Sequence, residues 1–175
     1  MHIYRADLRD MAACLNLDGN YETDFVWQVT QQEQDEEIVT HFRQVRLPRS
    51  MRVRYPAWGE ELLQHQERGD LLLVASEAAE LRGYIDQQIL PDQGLAWIHH
   101  LIVTPAHRRT GIGHELLQRA LQDGRHQGMI QVMCTVQSKN HPAISFLLRH
   151  GFKFCGYNER FYRNADIALY FACGL

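Results

Sequence analysis

The sequence has little that would staple, stretch or anchor it. Its four cysteines, Cys14, Cys134, Cys155 and Cys173, form no CxxC pair and no metal-ligand spacing. That pattern suits small apolar residues in a reduced cell interior rather than a disulfide framework or a zinc site. Only 5 Pro and 12 Gly are spread over 175 residues, which excludes a collagenous or low-complexity chain. No apolar run approaches the ~20 residues that span a bilayer. The longest, Leu71-Leu72-Leu73-Val74-Ala75, is the size of a strand. The opening residues, MHIYRADLRD, are charged from the fifth on and hold no secretory apolar region. An excess of positive charge is missing too, since 18 basic and 21 acidic side chains leave a net charge of -3. A dedicated nucleic-acid binder would be basic throughout. The expectation is a soluble cytoplasmic protein with no membrane or nucleic-acid partner.

What is present is enough apolar matter for one core, 45 % of the chain against 22 % charged, so a single domain over residues 1–175 is expected. A short strand at His2–Tyr4 precedes Leu8, Met11, Ala12 and Leu15 at helical spacing. Residues 21–56 are unusual. Phe25, Trp27 and Val29 alternate, the polar run Gln31–Glu37 follows, and Ile38, Thr40 and Phe42 alternate again. Two alternating runs about a polar turn predict a β-hairpin with one wet face. Arg43–Pro56, broken by Pro48 and Pro56, reads as extended and partly loop. From Trp58 the pattern becomes regular. A helix at Glu60–Arg68 is followed by strands at Leu71–Ser76 and Leu81–Gln87, paired around the turn EAAE, and by a longer strand at Leu95–Val103. Ile112, Leu116, Leu117, Ala120 and Leu121 make one stripe of a helix that runs to Gln127. A strand at Met129–Val136, a helix at Ala143–His150 closed by Gly151, and strands at Lys153–Tyr157 and Ile167–Phe171 complete the chain. The class is α+β.

The sharpest chemical signal is His107-Arg108-Arg109-Thr110-Gly111-Ile112-Gly113-His114, between a strand and a helix. Two glycines let the main chain approach a ligand, and the helix start offers unpaired N–H groups and the positive end of its dipole. A diphosphate suits such a site, with Arg108 and Arg109 as added cations. It is neither a P-loop, lacking Gly-Lys-Ser/Thr, nor a dinucleotide turn. By itself such a pair of glycines more often merely caps and packs a helix.

The surroundings add to this. Arg108-x-x-Gly111-x-Gly113 follows the R/Q-x-x-G-x-G/A signature of the GNAT N-acetyltransferases. Leu101-x-Val103-x-Pro105 upstream resembles the end of their fourth strand. Asn140-His141-Pro142-Ala143-Ile144-Ser145-Phe146-Leu147 through Gly151-Phe152 is similar to their second motif. The two motifs cover about half the chain. The resemblance implies a mixed, strongly twisted sheet with splayed central strands flanked by helices, and acetyl-coenzyme A as cofactor. It implies that main-chain amides of Arg109, Thr110, Gly111, Ile112, Gly113 and His114 cradle the diphosphate, and that Leu101, Ile102 and Val103 pair with the pantetheine arm. Asn140 would bond the pantetheine amides, while Ala143, Phe146 and Leu147 would flank the thiol end.

Acetyl transfer to an amine needs a neutral amine, a donor for the carbonyl oxygen and a proton for the leaving thiolate. A main-chain N–H at Leu101 or Ile102 can serve the oxygen. In Trp97-Ile98-His99-His100-Leu101, alternation predicts that His99 and His100 face opposite sides, with His99 beside Trp97, Leu101 and Val103. Two histidines so placed would not share a metal, and no metal is expected. In several GNAT relatives a His or Glu at the position of His99 acts as base, and an imidazole near pKa 6.5 suits that work; a merely packed histidine is the alternative. The tyrosine that in this family usually protonates the thiolate is replaced by Leu147. Tyr157, Tyr162 or water would then supply the proton, unless the protein is a poor catalyst.

For the acceptor, Asp24, Phe25 and Trp27 offer a carboxylate beside aromatics, a fair lining for a cationic amine. The plainer reading has the aromatics capping a core and Glu22 in water. Arg43, Arg46, Arg49, Arg52 and Arg54 crowd one stretch near Tyr55 and Trp58. A solvated face balanced by the nearby acids explains them better than an acidic acceptor, a nucleic acid or the cofactor's 3′-phosphate. The tail from Phe161-Tyr162 to Phe171 looks similar to that of streptothricin acetyltransferases, which carry acids where His99 and His100 stand. The expected function is transfer of acetyl to a primary amine of a small molecule. A coenzyme A binding module without chemistry, and acetylation of protein N-termini or lysines, stay open, as does the oligomeric state, a homodimer included.

Overall fold

The computed structural model describes residues 1–56, 59–78 and 80–175. Trp58, and the Ala79 of the EAAE turn, lie outside the described residues. The elements follow the expected order: β1 (His2–Arg5), α1 (Met11–Leu15), β2 (Tyr21–Gln34), β3 (Glu37–Val53), α2 (Gly59–Arg68), β4 (Leu71–Glu77), β5 (Glu80–Leu90), β6 (Leu95–Val103), α3 (Ile112–His126), β7 (Gln131–Gln137), α4 (His141–Arg149), β8 (Lys153–Asn158) and β9 (Ala168–Gly174). The strands order themselves β1-β4-β5-β6-β7-β9-β8, with β2 and β3 as a separate pair. The chain falls into two compact units, residues 1–20, 55–135 and 172–175 in the first, 21–54 and 136–171 in the second. Among the described residues no helix is long and apolar enough to cross a membrane.

In the first unit β1, β4, β5 and β6 are antiparallel neighbours, and β6 runs parallel to β7. The pairing of β6 with β7 joins Leu95–Ile98 to Gln131–Cys134, whereas β5 continues beside β6 up to Val103. This is the expected splay. A core of Met11, Cys14, Leu62, Leu72, Val74, Tyr84 and Ile102 joins α1 and α2 to one face of the sheet. Helix α3 lies down by its stripe, for Ile112, Leu116, Leu117, Ala120 and Leu121 are all buried. The helix beginning at Met11 is shorter than its spacing suggests. Leu8 lies before it and is exposed.

The second unit contains the predicted hairpin. Gln34 faces Glu37 across a two-residue turn in which Asp35 takes φ 49°, a conformation that a short polar side chain tolerates better than most. The strand β3 extends further than Pro48 suggested. The register changes from Thr23 opposite Met51 to Phe25 opposite Arg46. Residues 47–50 are thereby excused from regular pairing, and Pro48, which has no N–H to give, falls among them. Phe42 packs its ring 4.4 Å from Phe154 and 5.1 Å from Tyr157.

Candidate functional site: a splayed strand and an open turn

The strand β6 leads into a short turn of 3-10 helix at Pro105–His107 and then into α3. Side chains lock the turn from below. Thr110 Oγ1 donates to the carbonyl of His107, and Thr104 Oγ1 lies 2.9 Å from His107 Nδ1. Arg108 Nε donates to the carbonyl of Val103 and its Nη2 to that of Asn20, at 3.0 and 2.7 Å. Burial pushes this guanidinium below its ordinary pKa, although arginine stays charged at any working pH. The first motif arginine therefore holds the frame of the turn. Arg109, by contrast, is exposed and takes φ 67°, and Gly111 follows at φ 96°.

The main chain at this turn is presented outward. The bond from Glu115 N–H to Gly111 O opens the helix, so the amides of Ile112 and Gly113 precede the intrahelical ladder. A Cβ placed on Gly111 would meet no atom within 4 Å. Open space above donor N–H groups, at the positive end of a 15-residue helix, fits an anion of diphosphate size. The same splay leaves Leu101, Ile102 and Val103 paired only with β5 among the described strand pairings.

Behind β6 the structure corrects one expectation. Asp86 stands opposite His100, but Gln87 stands opposite Ile98, so His99 is an extra residue in a β-bulge. A bulge breaks strict alternation. The His99 ring lies 4.2 Å from that of His65 on α2, and His65 binds Asp86, the residue paired with His100. Both histidines thus lie on the α2 side, and His99 does not share a face with Leu101. Among the described residues no group of three or more His, Cys, Asp or Glu is placed to hold a metal ion. His99 Nε2 lies 3.2 Å from Gln88 Oε1, and His100 Nδ1 lies 3.0 Å from the Tyr55 hydroxyl. Desolvation, then the nearby His65, depresses His99 to about 3 and His100 to about 4. His65 and Asp86 had no signal in the sequence, because their partnership joins a helix face to a strand 21 residues away.

The second unit carries the remaining candidates. Asn140 caps α4, its side-chain oxygen accepting from the N–H of Ala143 at 3.2 Å. Leu147 is buried in that helix and Phe146 stacks on His150. The Tyr157 hydroxyl donates to Gln31 of the hairpin. Tyr162 is buried, edge-on to Phe161. Asp24 and Glu22 are both exposed. Phe25 lies 4.9 Å from the His141 ring, and the Trp27 indole N–H is buried without a hydrogen-bond partner. The sequence also gave no hint of a polar chain here. The Tyr21 hydroxyl donates to Gln137, Gln137 donates to Asp166, and Lys139 pairs with the other oxygen of Asp166. A tyrosine in an alternating strand reads as core, and only its partner shows otherwise.

This splay with an outward-facing turn defines an acyl-coenzyme A class of fold, and the comparisons agree. The description of the acetyltransferase (GNAT) family matches residues 29–152, and the chain belongs to that family. A streptothricin acetyltransferase of Streptomyces lavendulae is 36% identical over 66 residues, 38% of this chain and 35% of that relative. The matched stretch thus spans about a third of the relative's length. A nourseothricin acetyltransferase structure superposes with TM-score 0.86 at 22% identity, covering 99% of this chain and 97% of the other. A protein of Bacillus anthracis str. Ames, provisionally assigned as a streptothricin acetyltransferase and solved with acetyl coenzyme A, gives 0.80 at 17%, covering 99% and 98%. At these identities the two structures bear on fold alone.

Proposed function

We propose that the chain is an acetyl-coenzyme-A-dependent N-acetyltransferase, acting in the cytoplasm as one catalytic domain on a primary amine of a small molecule of the streptothricin kind. The observation that carries this reading is the outward main chain at Gly111, at the head of α3 and just beyond the splay. Bound there, the cofactor supplies an activated acetyl group as a thioester. The amides from Arg109 to His114 hold its diphosphate, and the free edge of Leu101, Ile102 and Val103 pairs with the pantetheine arm. Asn140, Ala143, Phe146 and Leu147 take the motif's roles along that arm. A main-chain N–H at Leu101 or Ile102 would donate to the thioester oxygen. His99 receives the proton of the amine, and Asp24, Phe25 and Trp27 line the acceptor.

Leu147 favours a second reading. It is buried, with 5 % exposure, and an aliphatic side chain donates no proton. Tyr157, Tyr162 and water are the candidates to replace it. Coenzyme A leaves tolerably as a thiolate, so the missing acid lowers the rate by ~10²–10⁴ without abolishing it. Thiol release from acetyl-coenzyme A, measured with streptothricin and a panel of simple amines, separates the two readings. Release that rises with one amine supports the enzyme. Tight binding with no release on any amine supports a coenzyme A sensor.

A further inference from the structure

The hairpin of the second unit carries its charge in two separate blocks. Glu33, Asp35, Glu36 and Glu37 stand at its tip, with no Lys or Arg between Val29 and Phe42. Arg43, Arg46, Arg49, Arg52 and Arg54 crowd its base, where Glu22 and Asp24 offset them only in part. All of these side chains are exposed, and among the described residues none of them makes an ion pair. The two blocks do not neutralise each other within one chain. Glu37 and Arg43 are six residues apart, about 20 Å along a strand, whereas salt screens exposed charges beyond about 8–10 Å.

The ribbon also has a covered face and an open one. On the covered face Phe42 packs on Phe154 and Tyr157, Gln31 accepts from the Tyr157 hydroxyl, and Phe25 lies against His141. Alternation turns Glu37, Val39, His41, Arg43 and Val45 the other way. Val39 and Val45 are half-buried there, and the other three are exposed. A two-stranded ribbon is marginal in water by itself, so a second surface over the open face stabilises it.

We propose that the open face is a contact between two copies of this chain, their hairpins antiparallel about a two-fold axis near His41, with the acidic tip of each over the arginine base of the other. A two-fold contact must be self-complementary, because each patch meets its counterpart on the second copy. One acidic and one basic block at opposite ends of a single ribbon meet that condition. His41 stands midway between Glu36 and Arg46 in the sequence, which places the axis. A nucleic acid or another polyanion would suit the base but be repelled by the tip. The 14 residues of β2 make a face about 46 Å long and, across two strands, about 10 Å wide. Two such faces bury about 900 Å² in all, the size of a weak contact, so charge pairing carries it and salt loosens it. The inference is independent of the acetyl-transfer reading.

Sedimentation of the whole chain at about 100 µM, in about 50 mM and about 500 mM salt, tests the contact. The unaltered protein is expected to be a dimer at low salt, with association at least tenfold weaker at high salt. Arg43→Glu with Arg46→Glu reverses the base, and Glu36→Lys with Glu37→Lys reverses the tip. Each pair should leave a monomer, since like charges then meet at both ends. An equal mixture of the two variants should form a mixed dimer, and all four substitutions in one chain should restore the homodimer. Circular dichroism checks that the variants fold. Arg43→Gln with Arg46→Gln, which should also weaken the dimer, serves where a reversal does not fold. A monomer at low salt, a dimer that neither reversal weakens, or a mixture that stays monomeric would overturn the proposal. So would an unaltered chain that stays monomeric and holds an oligonucleotide through its arginines.

Discussion

Gly111 carries the largest share of the chemistry assigned to a single residue. Its φ of 96° lies where a side chain is strained, yet the space beside it is empty. Gly111→Ala should therefore cost about 1 kcal/mol of stability through backbone strain alone. It should also weaken acetyl-coenzyme A at least tenfold, because the new Cβ stands where the diphosphate meets the main chain. Thermal unfolding and calorimetric titration read the two effects separately. The glycine pair was legible in the sequence. The direction of Arg108 was not. Beside a phosphate turn an arginine reads as a cation for the ligand, but one of its acceptors is the carbonyl of Asn20, 88 residues back. No local pattern announces so distant a partner.

Among the elements, most of the fold was open to inspection in the sequence. Every predicted strand and helix is present, and the β6 limits Leu95–Val103 agree to the residue. Periodicity gives this much, since apolar spacing alone decides which face of a helix or strand is buried. It fails where the partner strand sets the geometry, as in the bulge at His99. The same bulge gathers buried histidines whose depressed pKa values bear on stability. Unfolded histidine takes a proton near 6.5, while His99 and His100 resist until about 3 and 4. Their contribution is intact above pH 6.5 and is lost as the pH falls toward those folded values. Unfolding free energy should thus drop by up to about 1.4 kcal/mol per pH unit for each histidine between pH 6.5 and 4. Denaturant titrations across that window, repeated with His100→Gln, should show a shallower slope in the variant. In the second unit the hairpin leans on Phe42 through Phe154 and Tyr157. Phe42→Ala should cost about 1–2 kcal/mol and speed amide exchange along residues 26–45.

For the molecule as a whole, charge and composition bounded the answer without choosing it. Arg43, Arg46, Arg49 and Arg52 of β3 and Arg54 just after it are all exposed, as the balance of nearby acids predicted, and Glu22 faces Arg52 across the hairpin. What the sequence could place was the glycine turn ahead of α3, whose motif is local. The cluster of Asp86, His65 and His99 was hidden, since it joins α2, β5 and β6 and each residue alone looks ordinary. The account rests on the main chain of the turn gripping a diphosphate. Residue-resolved ¹H–¹⁵N spectra recorded while acetyl-coenzyme A is added test it most directly. Large amide shifts concentrated at Arg109–His114, saturating at one equivalent, are the predicted result. Spectra that do not change, or shifts that leave Thr110–Gly113 unmoved while another surface responds, would contradict it.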